Sequence, residues 1–115
     1  VGADPKPLAR VVDQGFYGAV VERDQGACRI CGGKYGRSWM SVHHLVGRGQ
    51  GGDDVPANGV LLCGSGTTGC HGKVEGYMAG ARSRLRARLL PAELAYIVEK
   101  KSRAWLDRHY PEGRR

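Results

Sequence analysis

Long apolar runs are missing from this chain: no stretch reaches the roughly 18 to 20 residues a membrane-spanning helix needs, and no charged-then-apolar leader is visible. Membrane insertion and secretion therefore lack support, and the expected compartment is the cytoplasm. Aromatic residues are scarce as well, at 7% with a single Phe, while glycine is abundant at 19. A chain of 115 residues is read as one domain, residues 1–115, burying roughly two-thirds of its unfolded surface. With so few large apolar groups its core is thin. A structural metal, whose binding contributes on the order of 10 kcal/mol to folding, would supply what packing cannot.

Acidic charge is sparse in the C-terminal third. Residues 73–115 carry eleven Lys/Arg against five Asp/Glu, whereas residues 1–72 carry seven against six, so the net charge of +7 is concentrated near the C-terminus. Such a field attracts polyanions and makes their binding salt-dependent; solubilising surface charge is the plainer explanation.

Only four cysteines are present, as Cys28-x2-Cys31 and Cys63-x6-Cys70. In a reducing compartment thiolates suit a closed tetrahedral zinc, which has no vacant position for substrate and so would be structural. Two disulfides or buried free thiols are the alternatives. Cys28 to Gly33 has the two-residue spacing and trailing glycines of a zinc knuckle, whereas six residues between Cys63 and Cys70 is wide for one.

Around these cysteines the pattern predicts α+β structure. Leu8, Val11, Val12 and Phe16 recur at helical spacing, Asp24-Gln25-Gly26 is a turn, and Trp39 to Leu45 looks like a strand. A glycine-rich loop over 47–58 leads to a second strand at Val60-Leu61-Leu62. Thr67 or Thr68 would then cap a short helix carrying His71 and Glu75 one turn apart. Beyond it, Ala81, Leu85 and Leu89 share one helical stripe, and Leu94, Ile97, Val98 and Trp105 another, fraying into Tyr110 and a basic tail. Pro91 ends the first of these helices or starts the second.

Chemistry concentrates between the cysteine pairs. Successive strand residues face opposite ways, so His43 and His44 can divide their work, one facing a metal and the other a scissile phosphate, with His71 arriving from the helix as a second ligand. Hydrolysis of a phosphodiester needs a base and neutralising charge, and imidazole, with an ordinary pKa of about 6.5, suits the first. Asn58 before Gly59 is by itself an ordinary turn residue. Glu75 reads first as a solvated carboxylate near Lys73 and second as a further ligand. Arg48 could hold a phosphate or be merely solvated. Arg82 and Arg86 share one helix face and Arg84 and Arg88 another, suited to nucleic-acid backbone contacts without a base-reading pattern.

Val42-His43-His44-Leu45, Gly51-Gly52-Asp53, Asn58 to Cys63 and Cys70-His71-Gly72-Lys73, in that order, resemble the HNH endonuclease family, and Arg23 to Gly32 resembles the segment upstream of the motif in its phage and restriction-type members. The likeness covers roughly residues 20–76, leaving basic helices over about 77–110. It implies a ββα-metal core with a four-cysteine structural zinc and flanking N- and C-terminal helices. It further implies His43 and His71 as ligands of a catalytic divalent ion, His44 as general base, and Asn58 holding the loop or base or reaching the metal. Mg²⁺ or Mn²⁺, with Ni²⁺ or Zn²⁺ admitted by imidazole, are the ions expected. The expected activity is metal-dependent hydrolysis of DNA, one strand per visit for a monomer, with double-strand breaks needing a dimer or two encounters. Two other readings stand beside it: a noncatalytic zinc-stabilised DNA-binding module, and a partner-dependent nuclease subunit of a phage terminase packaging machine, working in the host cytoplasm.

Overall fold

The structure, a computed structural model, describes residues 15–113. The stripe expected from Leu8, Val11 and Val12 lies outside them, as does the end of the basic tail. Among the described residues there are two strands and five α-helices, a small α+β fold. No helix is long and apolar enough to cross a membrane.

Helix α1, Phe16–Arg23, buries Phe16 and Val20 and stops at the expected turn, where Gln25 and Gly26 both take positive φ, 57° and 71°. Strand β1, Met40–His44, pairs antiparallel with β2, Gly59–Cys63, with His43 opposite Val60 and His44 opposite Gly59. Trp39 belongs to a 3₁₀ turn over Arg37–Trp39 rather than to the strand, and the loop between the strands contains two more such turns. β2 is buried along its whole length, in contact with α1 and with α2, Gly69–Glu75. A two-stranded sheet is marginal alone, so these helices carry much of its stability. The order strand, loop, strand, helix is the one expected. Thr68 occupies the N-cap of α2 but makes no cap bond; its Oγ1 accepts from the Ser65 amide at 3.0 Å instead.

The C-terminal half differs more. Ala81, Leu85 and Leu89 are all buried, yet α3 covers only Ala81–Arg86. Pro91 begins α4, Pro91–Lys100, and the single final helix expected through Trp105 is broken at Lys101 and Ser102, where the Ser102 hydroxyl accepts from the Trp105 amide and caps α5, Arg103–His109. Tyr110 does not fray. It is 1% exposed and packs into the core with Leu106, Ile97 and Leu85.

A buried ionic network fastens the parts together. Arg29 forks onto both oxygens of Glu93 at 2.8 and 2.9 Å and also reaches Asp24, while Asp24 accepts from the Leu61 amide and Glu93 from the Leu90 amide at the start of α4. Burial opposes the charge on Asp24, but hydrogen bonds from Arg23, Leu61 and Arg29 outweigh it and hold its carboxyl below the usual range.

Candidate metal centres and active site

Four thiols meet at one side of the sheet. The Sγ atoms of Cys28, Cys31, Cys63 and Cys70 all lie within 4.8 Å of one another. Cys31 and Cys63 stand 3.9 Å apart, far beyond a disulfide bond, and all four are free. The first pair is a tight knuckle: the Cys28 amide donates to the Gly33 carbonyl, the Gly32 amide to the Cys28 carbonyl, and the Cys31 amide points at Cys28 Sγ. The second pair behaves as a knuckle despite its wide spacing, because the intervening loop closes on itself through reciprocal Ser65 and Thr68 backbone bonds and sends the Cys70 amide to Cys63 Sγ at 3.4 Å. Gly64 and Gly69 permit this at φ of +86° and +64°; a Cβ on Gly64 would strike the Thr68 carbonyl, and one on Gly69 the Cys63 carbonyl. Burial opposes ionisation of Cys31, but the Gly33 amide and the Tyr35 hydroxyl bring its thiol down to about 7. Burial pushes Cys70 up, helped by Cys63. Four converging sulfurs without disulfide geometry fit a tetrahedral zinc.

A second cluster lies where β1 meets α2. His43 Nδ1 is 2.9 Å and His71 Nε2 3.3 Å from the same oxygen of Glu75, so α2 supplies two of its three members one turn apart. The remaining ring nitrogens fix what these atoms are. Ser41 gives its only proton to the Gly64 carbonyl at 2.6 Å and must accept from His71 Nδ1, also 2.6 Å away. Tyr110 gives its proton to the Leu45 carbonyl at 2.7 Å and must accept from His43 Nε2 at 2.8 Å. Both neutral imidazoles therefore turn a lone pair toward the Glu75 carboxylate. Three electron-rich atoms converge. Such a group is stable only with positive charge among them, and burial, foremost, pulls both histidines below the ordinary imidazole value and disfavours a proton there. Two nitrogens and one oxygen, with Glu75 partly exposed, suit a divalent ion that keeps open positions.

His44, on the other strand face, is held separately. Its Nε2 donates to Asp54 at 2.8 Å, which leaves Nδ1 as the basic nitrogen, and its ring lies 5.0 Å from that of Phe16. Arg48 shares the same carboxylate at 3.2 Å. Asn58, fully buried, is bonded to Val46 N and O and to the Asp53 carbonyl. Of the roles expected for Asn58 it fills the loop-holding one; it is no part of the His43, His71 and Glu75 cluster. Glu75 is promoted from solvated carboxylate to candidate ligand. Of the four arginines expected to touch nucleic acid, Arg84 and Arg88 are exposed, but Arg86 is enclosed, bonded to the Tyr110 carbonyl at 2.7 Å and to Asp107. Arg82 is half-buried, its guanidinium 3.8 Å over the Tyr77 ring.

Sequence reasoning missed Ser41, Asp54 and Tyr110 as partners of the histidines. Ser41 stands two strand positions before His43, and that shared face was the available signal; nothing local marks Tyr110, 67 positions beyond its partner. A cleft of about 140 Å³ reaches His43, His44 and Glu75 from solvent. No protein-family model matches this chain, and no curated protein is detectably similar to it.

Proposed function

We propose that this protein is a metal-dependent endonuclease of the HNH type that hydrolyses DNA phosphodiester bonds. The observation that carries the reading is the convergence of His43 Nδ1, His71 Nε2 and Glu75 on one point, with both tautomers set by Ser41 and Tyr110. The order of strand, loop, strand and helix and the nearby four-cysteine group support it. His43, His71 and Glu75 would hold the ion. A divalent ion bound there supplies positive charge to the phosphate and leaving oxygens. Two imidazoles in the donor set favour Mn²⁺, Ni²⁺ or Zn²⁺ over Mg²⁺.

His44 is the base in this scheme. Asp54 holds its Nε2–H, so Nδ1 takes the proton from the attacking water as the new P–O bond forms and the bond to the departing oxygen breaks; the Asp54 carboxylate stabilises the resulting imidazolium. Arg48, paired to Asp54 and largely exposed, would meet an incoming phosphate in this scheme. Asn58 keeps the strand end and loop in register.

Supercoiled-plasmid cleavage with each metal titrated tests the reading. His44→Ala is expected to lose cutting by a factor of about 100 or more while retaining both metals. Full activity in that variant would remove His44 from the mechanism, and failure of the wild type to cut with any of these ions, alone or with packaging proteins added, would favour the noncatalytic DNA-binding module.

A further inference from the structure

The cleft that takes in His43, His44 and Glu75 is also lined by Arg82, Trp105 and His109. His109 is the last residue of α5, its ring stacked on Trp105 with centroids 3.9 Å apart, and its Nδ1 lies 3.0 Å from the Trp105 carbonyl oxygen. A carbonyl only accepts, so Nδ1 bears the proton. The stack and the bond together immobilise the ring, and Nε2 is left without a hydrogen-bond partner among the described residues. Arg82 is fixed beside it. Its Nε donates to the Val74 carbonyl at 2.8 Å, its Nη1 to the His109 carbonyl at 3.2 Å, and its guanidinium lies between the rings of Tyr77 and Tyr110, 3.8 and 4.8 Å from their centroids.

We propose that Arg82 and His109 form an anion subsite that holds a phosphate of a polynucleotide beside the His43, His44 and Glu75 group. A permanently charged guanidinium attracts a phosphate's negative oxygens, and the His109 imidazolium, with Nδ1–H committed to the Trp105 carbonyl, donates to one of them from Nε2. Both are pre-positioned, so little side-chain entropy is lost when the anion binds. Identification of the anion as a DNA phosphate rests on the nuclease reading above. The pair itself does not.

Two variants of the whole zinc-loaded protein separate a ligand role from a merely structural one. His109→Asn keeps an amide nitrogen near the Nδ1 position, able to bond the Trp105 carbonyl, and removes Nε2; His109→Gln instead places a donor near Nε2. Binding of a short DNA duplex without added divalent ion would be followed by fluorescence anisotropy and by the His109 imidazole resonances in NMR. The wild-type His109 signals are expected to shift on adding DNA. His109→Asn is expected to weaken binding and raise KM about tenfold with kcat and metal content little changed, while His109→Gln loses less. Wild-type affinity in His109→Asn, with damage confined to His109→Gln, would overturn the subsite. A wild type that shifts its His109 signals with DNA but cuts with no metal overturns the nuclease reading and leaves the subsite standing; cutting without any His109 shift does the reverse.

Discussion

Ser41 and Tyr110 each have one hydroxyl proton and each spends it on a backbone carbonyl, so the imidazoles they face have no choice of tautomer. Loss of either hydroxyl frees a ring to turn its N–H toward Glu75. Ser41→Ala and Tyr110→Phe are therefore expected to weaken Mn²⁺ binding at the His43, His71 and Glu75 group about 10- to 100-fold without touching the four-cysteine site. Isothermal titration of zinc-loaded protein measures this, and unchanged affinity in both would mean the tautomers are set elsewhere. At the same scale, Asp54→Asn leaves a hydrogen-bond partner for His44 but no negative charge to support its imidazolium. A fall in cleavage rate of about 100-fold or more at unaltered metal content is expected, read from initial rates on plasmid. The histidines were legible from the sequence because strand alternation and one helical turn are local rules. Their partners were not, since a hydroxyl 67 residues away is brought in only by packing of the C-terminal helix.

Among the elements, the loop from Gly64 to Gly69 decides whether Cys70 and His71 can serve at all. Its closure puts Cys70 on the sulfur cluster and starts α2 in the orientation that presents His71 and Glu75 to β1. Gly69→Ala forces a side chain into φ of +64° against the Cys63 carbonyl. A stability loss of at least about 1 kcal/mol is expected, with weaker zinc retention, measured by urea unfolding and by metal analysis after dialysis. A wild-type midpoint and full zinc content would show that the loop has another way to close. Six residues between Cys63 and Cys70 is wide for a knuckle when counted along the chain; two left-handed glycines shorten it in space. The break between α4 and α5 escaped for a related reason. Apolar positions at Leu94, Ile97, Val98 and Trp105 continue a helical pattern, whereas the Ser102 cap that interrupts it is a single hydrogen bond.

Across the whole molecule, Arg29 joins the cysteine knuckle to α4 through Glu93 and to the turn after α1 through Asp24. Glu93 is 1% exposed, and without Arg29 it keeps the Arg23 guanidinium at 3.2 Å and the Leu90 amide but loses its two-pronged charged bond. Arg29→Met is expected to cost about 1.5 to 3 kcal/mol, and pairing it with Glu93→Leu to recover part of that loss; denaturant unfolding of the double-mutant cycle checks both. Equal instability of the single and double variants would locate the cost in Asp24 instead. The basic surplus at the C-terminal end was correctly counted from composition, but its arginines are not equivalent. Arg86 is consumed holding the Tyr110 carbonyl, and Arg82 is turned inward toward the cleft, leaving Arg84 and Arg88 as the outward pair.

By itself the sequence determined the small α+β class, the strand, loop, strand and helix order, and the residue types of two groups that could hold a metal ion. Each follows from short-range rules: side-chain alternation in strands, a 3.6-residue helical turn, thiolate chemistry and the conformational freedom of glycine. Tertiary structure alone decided that Glu75 joins His43 and His71, that Asn58 staples a loop, that Asp54 anchors His44, and that Tyr110 closes the core beneath His43. Those outcomes depend on which distant hydrogen-bonding groups are buried together, and a buried donor or acceptor must be satisfied by whatever packing brings within reach.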